Sequence, residues 1–223
     1  MDLPMTVIKH LLGVILIGLL VVACSSTKTT ESWSDQSYTG QIKNAYIIGI
    51  AKDDLNRMIF EDNFESRLIS AGIKAIASYK DNLPTNQEVD REDIIQRMRN
   101  NNCDSILLTR LISTRTKATI SGGQGSYTYT PGSYSRGLTS HRLPKDSPYS
   151  SWSNYYRHGT VNYVAPTKAD FVILTVESVL YDLQTEELIW SAQLETRLEG
   201  NFENMVQTFV DEVTRDLKEK GLI

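Results

Sequence analysis

The sequence predicts a single α/β domain in which three helices cover a mixed five-stranded sheet, in the order β-α-β-α-β-insert-β-β-α. Three observations support this prediction. Short β-branched apolar runs alternate with amphipathic stretches, and two later strands are joined by a short polar link. The third observation is a clear amphipathic helix at the end of the chain. We divide the 223 residues into a signal segment 1–23, a flexible tether 24–41 and this domain, 42–223.

Three parallel strands are predicted in the first half of the domain. Residues 43–51 are nearly continuously apolar, which is typical of a central strand buried on both faces. Residues 73–79 and about 104–116 form the next two runs, and amphipathic stretches separate the three. Because right-handed crossovers join such strands, the helices should cover the sheet.

The first predicted helix follows Asp53 and Asp54, which stand where an N-cap and a first turn favour acids, and it ends at Gly72. A metal site at these two aspartates is the less favoured alternative to capping. The helix also carries the acids Glu61, Asp62 and Glu65. We expect these three to form a solvated face. A second helix opens near Asp90, with Ile94, Ile95 and Met98 facing inward.

A low-complexity insert at 121–166 interrupts these patterns. It is rich in glycine and serine and holds most of the 11 tyrosines of the chain. An insert as long as 121–166 is either poorly ordered or a surface for a partner. Tyrosine and serine suit such a surface because they make adaptable contacts with saccharides, peptides or other protein chains. The candidate partner contacts are Tyr127, Tyr129, Trp152, Tyr155 and Tyr156.

The second half of the domain is predicted as a hairpin followed by a helix. Strands at 170–182 and Leu188–Leu198 alternate apolar and polar residues across a short polar link, and Trp190 is predicted in the core. The last helix begins at Asn201 and ends at Gly221. Its apolar residues repeat at helical spacing, so we expect it to pack on the sheet.

The N-terminus ends an apolar run with a cysteine. Residues 11–22 are apolar or glycine, which is too short for a spanning helix of about 20 residues but typical of a secretory signal. Val21-Val22-Ala23-Cys24 resembles the lipobox of bacterial lipoproteins, and this resemblance implies that Cys24 becomes the acylated first residue, anchored to a membrane by fatty-acyl chains such as palmitate. An ordinary cleaved signal and an uncleaved anchor are the alternatives.

Ser25 bears on which membrane is involved. Lipoproteins retained in the inner membrane of two-membrane bacteria carry aspartate after the cysteine, so Ser25 favours the periplasmic face of the outer membrane. In a bacterium with one membrane, the outer face of the plasma membrane replaces it.

Charge and cysteine content limit the partners and the disulfides that this chain can have. The net charge is −4 and no basic stripe is present, which argues against binding to nucleic acid. Of the two cysteines, the lipid takes Cys24, so Cys103 has no intrachain disulfide partner. We expect a half-buried thiol at a strand entrance; an intermolecular disulfide and a nucleophile are the alternatives. No catalytic, cofactor-binding or metal-ligating set is recognised.

Six short segments lie at 46–50, 57–64, 75–79, 104–111, 181–182 with Thr185, and 188–192. Together they resemble a family of bacterial envelope lipoproteins of unknown function. In that family an insert rich in glycine and tyrosine also separates the third and fourth strands. The layout is more distantly similar to the N-terminal domain of the periplasmic Tol-Pal component and to the curli-secretion lipoprotein. This resemblance implies an assembly or binding module without catalysis.

The predicted function is therefore a lipid-anchored binding or scaffold module of the cell envelope, with a protein or other envelope component as partner. A structural subunit that self-assembles into a homo-oligomer is the first alternative. An envelope hydrolase that uses acids such as Asp62 and Glu65 is the second.

Overall fold

The computed structural model describes residues 27–51, 53–84, 89–117, 151–157, 171–198 and 201–223. The six strands are β1 (Thr27–Ser34), β2 (Asn44–Ile50), β3 (Lys74–Ala77), β4 (Ser105–Lys117), β5 (Phe171–Asp182) and β6 (Leu188–Leu198). The helices are α1 (Asp54–Ser70), α2 (Arg91–Asn100), the short α3 (Trp152–Arg157) and α4 (Phe202–Glu219). Within these ranges, every helix is too short or too polar to cross a bilayer.

The strands form one mixed sheet in the order β1-β6-β5-β4-β2-β3. β2 is parallel to β3 and β4, whereas β4, β5, β6 and β1 pair antiparallel in turn. The predicted α/β class, the order of the predicted elements and the burial of the first apolar strand on both faces are confirmed. That strand is second from one edge of the sheet, not central, and the predicted number of strands is wrong, because the described residues form six.

The strand that was not predicted is β1, and it lies inside the segment 24–41 that we expected to be a flexible tether. β1 pairs with β6 from Thr27↔Thr196 to Ser34↔Trp190. Its sequence is polar because side chains on one of its sides bond to hydroxyls and carboxylates of α4 instead of entering an apolar core. Hydrophobic periodicity therefore does not reveal this strand.

Each face of the sheet carries its own core. α1 and α4 cover one face, where Ile47 packs with Phe64, Trp190 and Phe209. α2 and α3 cover the other face. There Tyr46, Ile48, Ile94, Met98, Leu108, Trp152, Tyr155 and Val179 are buried together. Neighbouring residues of β2 enter different cores, which explains why this strand reads as continuously apolar.

The predicted ends of two helices are confirmed. The side chain of Asp53 accepts a hydrogen bond from the Asn56 N–H at 2.8 Å, and that of Asn201 accepts from the Glu203 N–H at 2.9 Å. Gly72 and Gly221 follow the two helices with φ of 91° and 71°, a conformation that glycine adopts without strain. The predicted signal segment, Cys24, Tyr127 and Tyr129 lie outside the described residues.

Candidate functional site

The carboxyl ends of β2 and β4 are the place where a sheet of this topology brings polar groups together. β3 lies on one side of β2 in the sheet, and β4 lies on the other side. The helix that follows β2 and the helix that follows β3 therefore lead away from each other at the carboxyl ends of β2 and β4. Ligands of open α/β sheets bind at such points. Two buried pairs of opposite charge lie near the carboxyl end of β2: Arg57–Glu61, which contacts Gly49, and Arg110–Glu177, in register with Ile50.

The first pair fastens α1 to the sheet. Arg57 Nε donates to Glu61 Oε1 at 2.8 Å, and both side chains are buried. The same oxygen accepts from the Gly49 N–H at 2.9 Å and from the Ser78 hydroxyl at 2.7 Å. Glu61 therefore links the first helix to the ends of two strands, and the expectation that it lies on a solvated face is wrong.

Further hydrogen bonds hold the Arg57–Glu61 pair in place. Glu61 Oε2 accepts from the Tyr79 N–H at 2.9 Å. Arg57 donates to the Leu83 carbonyl at 2.9 Å and to the Ser78 hydroxyl at 2.6 Å. Because both ions are buried, these extra partners compensate part of the cost of removing them from water.

The second pair joins β4 to β5 on the sheet face covered by α2 and α3. Arg110 and Glu177 are directly paired across the two strands, and Arg110 Nη2 lies 3.0 Å from Glu177 Oε2. The Tyr155 hydroxyl donates to the same oxygen at 2.9 Å. Gln193 Nε2 donates to Glu177 Oε1 at 3.3 Å, so donors from β4, α3 and β6 converge on one carboxylate.

α3, which belongs to the insert, packs against the second pair. The Arg110 guanidinium lies 4.0 Å from the centroid of the Tyr155 ring, in a cation–π contact. Tyr156 is half-buried; its pKa is raised mainly by burial, with Arg57 lowering it and Glu61 raising it. Tyr155 therefore contacts the second pair, whereas the charges of the first pair act on Tyr156.

Trp152 anchors the beginning of α3. It is fully buried, and Arg91 of α2 lies 5.7 Å from the centroid of its ring. Its indole N–H has no hydrogen-bond partner within the described part of the chain. Trp152 and Tyr155 thus pack inside their own domain, which corrects the expectation that both lie on a surface for a partner. Tyr156 is half-buried, and its contact with a partner stays a prediction.

The acids considered for a hydrolase lie elsewhere on α1, over the residues that follow β3. Lys80 contacts both Asp62 and Glu65, and the hydrogen bonds that Lys80 donates to these two acids raise the pKa of Lys80. The Tyr79 hydroxyl donates to Asp62 at 2.7 Å, and the Ala77 N–H donates to Glu65 at 3.2 Å. In the structure, the two acids therefore accept hydrogen bonds from the backbone and side chains of residues 77–80.

Cys103 lies two residues before β4, at a strand entrance as predicted, but it is buried rather than half-buried. Burial raises the pKa of its thiol to about 12, and the nearby charges of Asp104 and Asp81 act in the same direction. A thiol with so high a pKa is a poor nucleophile at neutral pH. Among the described residues, no group of three or more histidine, cysteine or acidic side chains is arranged to hold a metal ion.

Sequence reasoning missed both buried pairs, although part of their signal is present. Arg57 and Glu61 precede Phe64 and Leu68 at helical spacing, so all four lie on the side of α1 that faces the sheet. The spacing places charged residues on a core-facing stripe. The link between Arg110 and Glu177 depends on strand register across the insert, and no local pattern encodes it.

Comparisons with known proteins give similarities to solved structures only. No protein-family model matches the sequence, and no curated protein matches it. A PelC dodecamer structure from Paraburkholderia phytofirmans is similar with a TM-score of 0.43 and 10% identity, over 84% of this chain and 94% of that one. Lipoprotein GNA1162 from Neisseria meningitidis is similar with a TM-score of 0.37 and 9% identity, over 79% and 99% of the two chains.

A third similar structure is a PDZ domain protein from Parabacteroides distasonis. Its TM-score is 0.37 and its identity 14%, over 83% of this chain and 34% of that protein. At such identities, no individual residue around Arg57 or Arg110 can be matched to a residue of these proteins.

Proposed function

We propose that this protein is a lipid-anchored, non-enzymatic binding or scaffold module of the bacterial cell envelope. The observation that carries the proposal is Cys24, which follows Val21-Val22-Ala23 at the end of the apolar run 11–22. More than one acyl chain holds a protein stably on a bilayer, whereas a single chain binds reversibly. A multiply acylated Cys24 would therefore keep the domain on the membrane surface.

The buried charge pairs support a structural role over catalysis. Glu61 and Glu177 each accept hydrogen bonds from an arginine and from additional donors, so they hold elements of the fold together. A general acid or base must instead present its carboxyl group to a substrate. We therefore propose that recognition of a partner, rather than a reaction, is the activity of the domain.

Metabolic labelling tests the anchor. Cells that produce the full chain are grown with a labelled fatty acid such as palmitate, and the wild type is compared with Cys24→Ser and with Cys103→Ser. We expect label and membrane retention in the wild type and in Cys103→Ser, and neither in Cys24→Ser. An unlabelled wild-type protein that is recovered in the aqueous fraction would contradict the proposal.

We propose that the module lies on the periplasmic face of the outer membrane, a location that Ser25 favours by analogy with other lipoproteins. Separation of inner and outer membranes from a two-membrane host tests this location, with Ser25→Asp as the matched variant. The wild type should be found with the outer membrane and Ser25→Asp with the inner. Recovery of both proteins in the inner membrane would contradict the location while leaving the lipid anchor intact.

The partner surface is proposed to include the part of the insert that precedes α3. Tyr127 and Tyr129 belong to this part, whereas Trp152 and Tyr155 belong to the core. A deletion of 121–150 spares α3 and is therefore a cleaner test than removal of the whole insert. Partners recovered by crosslinking in intact cells should be lost on deletion, and unchanged recovery would exclude this part of the insert.

Self-assembly into a homo-oligomer is the second candidate, and the position of β1 favours it. β1 lies at one edge of the sheet, where another strand can add through backbone hydrogen bonds. Sedimentation of the chain from Ser25 onward distinguishes the two candidates. Association that increases with concentration supports self-assembly, and a strict monomer at high concentration contradicts it.

A further inference from the structure

The domain begins almost at the residue that we propose to be lipidated. Only Ser25 and Ser26 separate Cys24 from Thr27, the first residue of β1. Because an extended chain spans at most roughly 3.5 Å per residue, Cys24 lies within about 11 Å of Thr27. A tether that ended at residue 41 would have allowed the domain to turn freely, and the observed strand removes most of that freedom.

Thr27 is held firmly in the fold. Its side chain is buried and lies 2.8 Å from the Thr196 hydroxyl of β6 and 3.1 Å from the Thr208 hydroxyl of α4. Further along β1, Thr29 donates to Glu212 at 2.8 Å and Ser32 donates to Asp216 at 2.6 Å. β1 and α4 therefore run side by side in the same direction, with the beginning of each at the same end of the domain.

The strand register shows what else lies at that end. Thr27 pairs with Thr196, Thr196 with Leu174, and Leu174 with Thr114, so these four residues form one row across the sheet. β4 continues beyond this row to Lys117, and β5 begins beyond it at Phe171. We call this row, and the parts of β4, β5 and β6 beyond it, the anchored end of the sheet. In the sequence, the insert lies between these two strand ends.

We propose that the anchored end faces the bilayer to which Cys24 is attached, and that the end of β4 at Lys117 and the beginning of β5 at Phe171 therefore lie close to the lipid headgroups. This inference rests on the proposed lipid anchor. The opposite end carries the turn 183–187 and the C-terminal end of α4, and it points away from the membrane. Strands rise roughly 3.3 Å per residue, so Leu188 lies about 26 Å from the row at Thr196.

The charges near the anchored end suit an anionic phospholipid surface. Lys28, Arg115 and Arg197 are exposed there, and Arg115 and Arg197 occupy one row of the same sheet face through Ile173. Acids of the described residues at this end include Glu195, which pairs with Arg115, and Glu203 in the first turn of α4. Cationic side chains held next to a bilayer are attracted to anionic headgroups.

Fluorescence quenching by lipids tests the orientation on the full lipidated chain. Asn204→Cys and Lys218→Cys place a label at two exposed positions of α4, which lie about 21 Å apart because a helix rises roughly 1.5 Å per residue. Cys103 is buried with a raised thiol pKa, so the unsubstituted protein provides the labelling background. The proteins are placed in phosphatidylcholine–phosphatidylglycerol vesicles that contain a lipid with a spin label on its headgroup.

We expect several-fold stronger quenching at position 204 than at position 218. A second pair on the sheet, Arg197→Cys and Gln184→Cys, provides the same comparison if a label on α4 perturbs folding, and the label at 197 should be the more strongly quenched. Equal quenching at both members of each pair, or the reverse order, would overturn the proposed orientation.

Mass spectrometry of the N-terminal peptide, performed on the same preparation, separates the two levels of the proposal. If Cys24 carries acyl chains and quenching is uniform, the orientation is wrong and the lipid anchor stands. If Cys24 carries no acyl chain, the proposed function fails and the orientation fails with it.

Discussion

The indole N–H of Trp190 donates to Asp216 Oδ2 at 2.7 Å, between a buried residue of β6 and the inner side of α4. The Ser32 hydroxyl of β1 donates to the same oxygen at 2.6 Å. One carboxylate thus joins the last helix to two strands of the sheet. Because it lies at the border of an apolar core, each donor removed leaves a charged group less well satisfied.

Replacing Trp190 by phenylalanine should show this directly. Hydrogen bonds to charged groups contribute about 1.5–3 kcal/mol, so Trp190→Phe should lower the free energy of unfolding by that amount beyond the loss of packing. Trp152→Phe is the matched control, since Trp152 is equally buried but its N–H has no partner within the described residues. Denaturant unfolding measures both variants, and equal losses would mean that the bond to Asp216 adds nothing.

The two arginines of α1 give a second prediction. Arg57 is buried against Glu61, whereas Arg67 pairs with Asp211 at the surface, with the two side chains 47% and 59% exposed. Removing one member of a buried ion pair costs about 3–5 kcal/mol, and an exposed pair contributes roughly 0–1 kcal/mol. Arg57→Met should therefore destabilise the protein strongly and Arg67→Met only slightly in the same unfolding assay. Similar losses for the two variants would contradict the structural role of Glu61.

Most of the fold follows from apolar periodicity. Ile47 and Ile48 lie in a run buried on both faces, and the apolar residues of α4 repeat at helical spacing, so their elements are predicted correctly. β1 carries no such pattern. Thr27, Thr29 and Ser32 use hydroxyl groups to bind α4, and partners so distant in the sequence cannot be inferred from local composition.

Less of the candidate site than of the fold could be predicted from the sequence. Glu61 looks like one of three surface acids, yet the turn of α1 places it over Gly49 and Ser78 while Asp62 faces Tyr79 and Lys80. The burial of Trp152 and Tyr155 depends on α3 folding back onto the sheet from a low-complexity insert. Composition predicts adaptable contacts for such residues but does not say whether the contacts lie within the domain or with a partner.

Cys103 should behave as an inert thiol in the folded protein. Because burial raises its pKa to about 12, the thiolate fraction at pH 7–8 is very small. A thiol-reactive chromogenic disulfide should therefore modify the chain from Ser25 onward slowly under native conditions and rapidly in denaturant. Rapid native modification, or a disulfide-linked dimer formed in air, would contradict this expectation and would favour the intermolecular alternative.

Glu212 should make the contact between β1 and α4 sensitive to acid. Burial acts to raise the pKa of Glu212, but hydrogen bonds from Arg215 and Thr29 outweigh it and hold the pKa below its ordinary value. A carboxyl group whose pKa is lower in the folded state adds stability that is present above the pKa of the unfolded chain, about 4.3. That stability is lost as the pH falls through the lower pKa of the folded state.

Unfolding measured from pH 7 down to pH 3 should therefore show a smaller loss of stability for Glu212→Gln than for the wild type, because the variant has no proton to bind at this position. Glu203→Gln, at an exposed position in the first turn of the same helix, is the matched control for the removal of one negative charge. Thr29→Val, which removes only the donor from β1, should give an intermediate pH dependence. If Glu212→Gln follows the wild-type curve at every pH, the carboxylate of Glu212 does not couple the edge strand to α4.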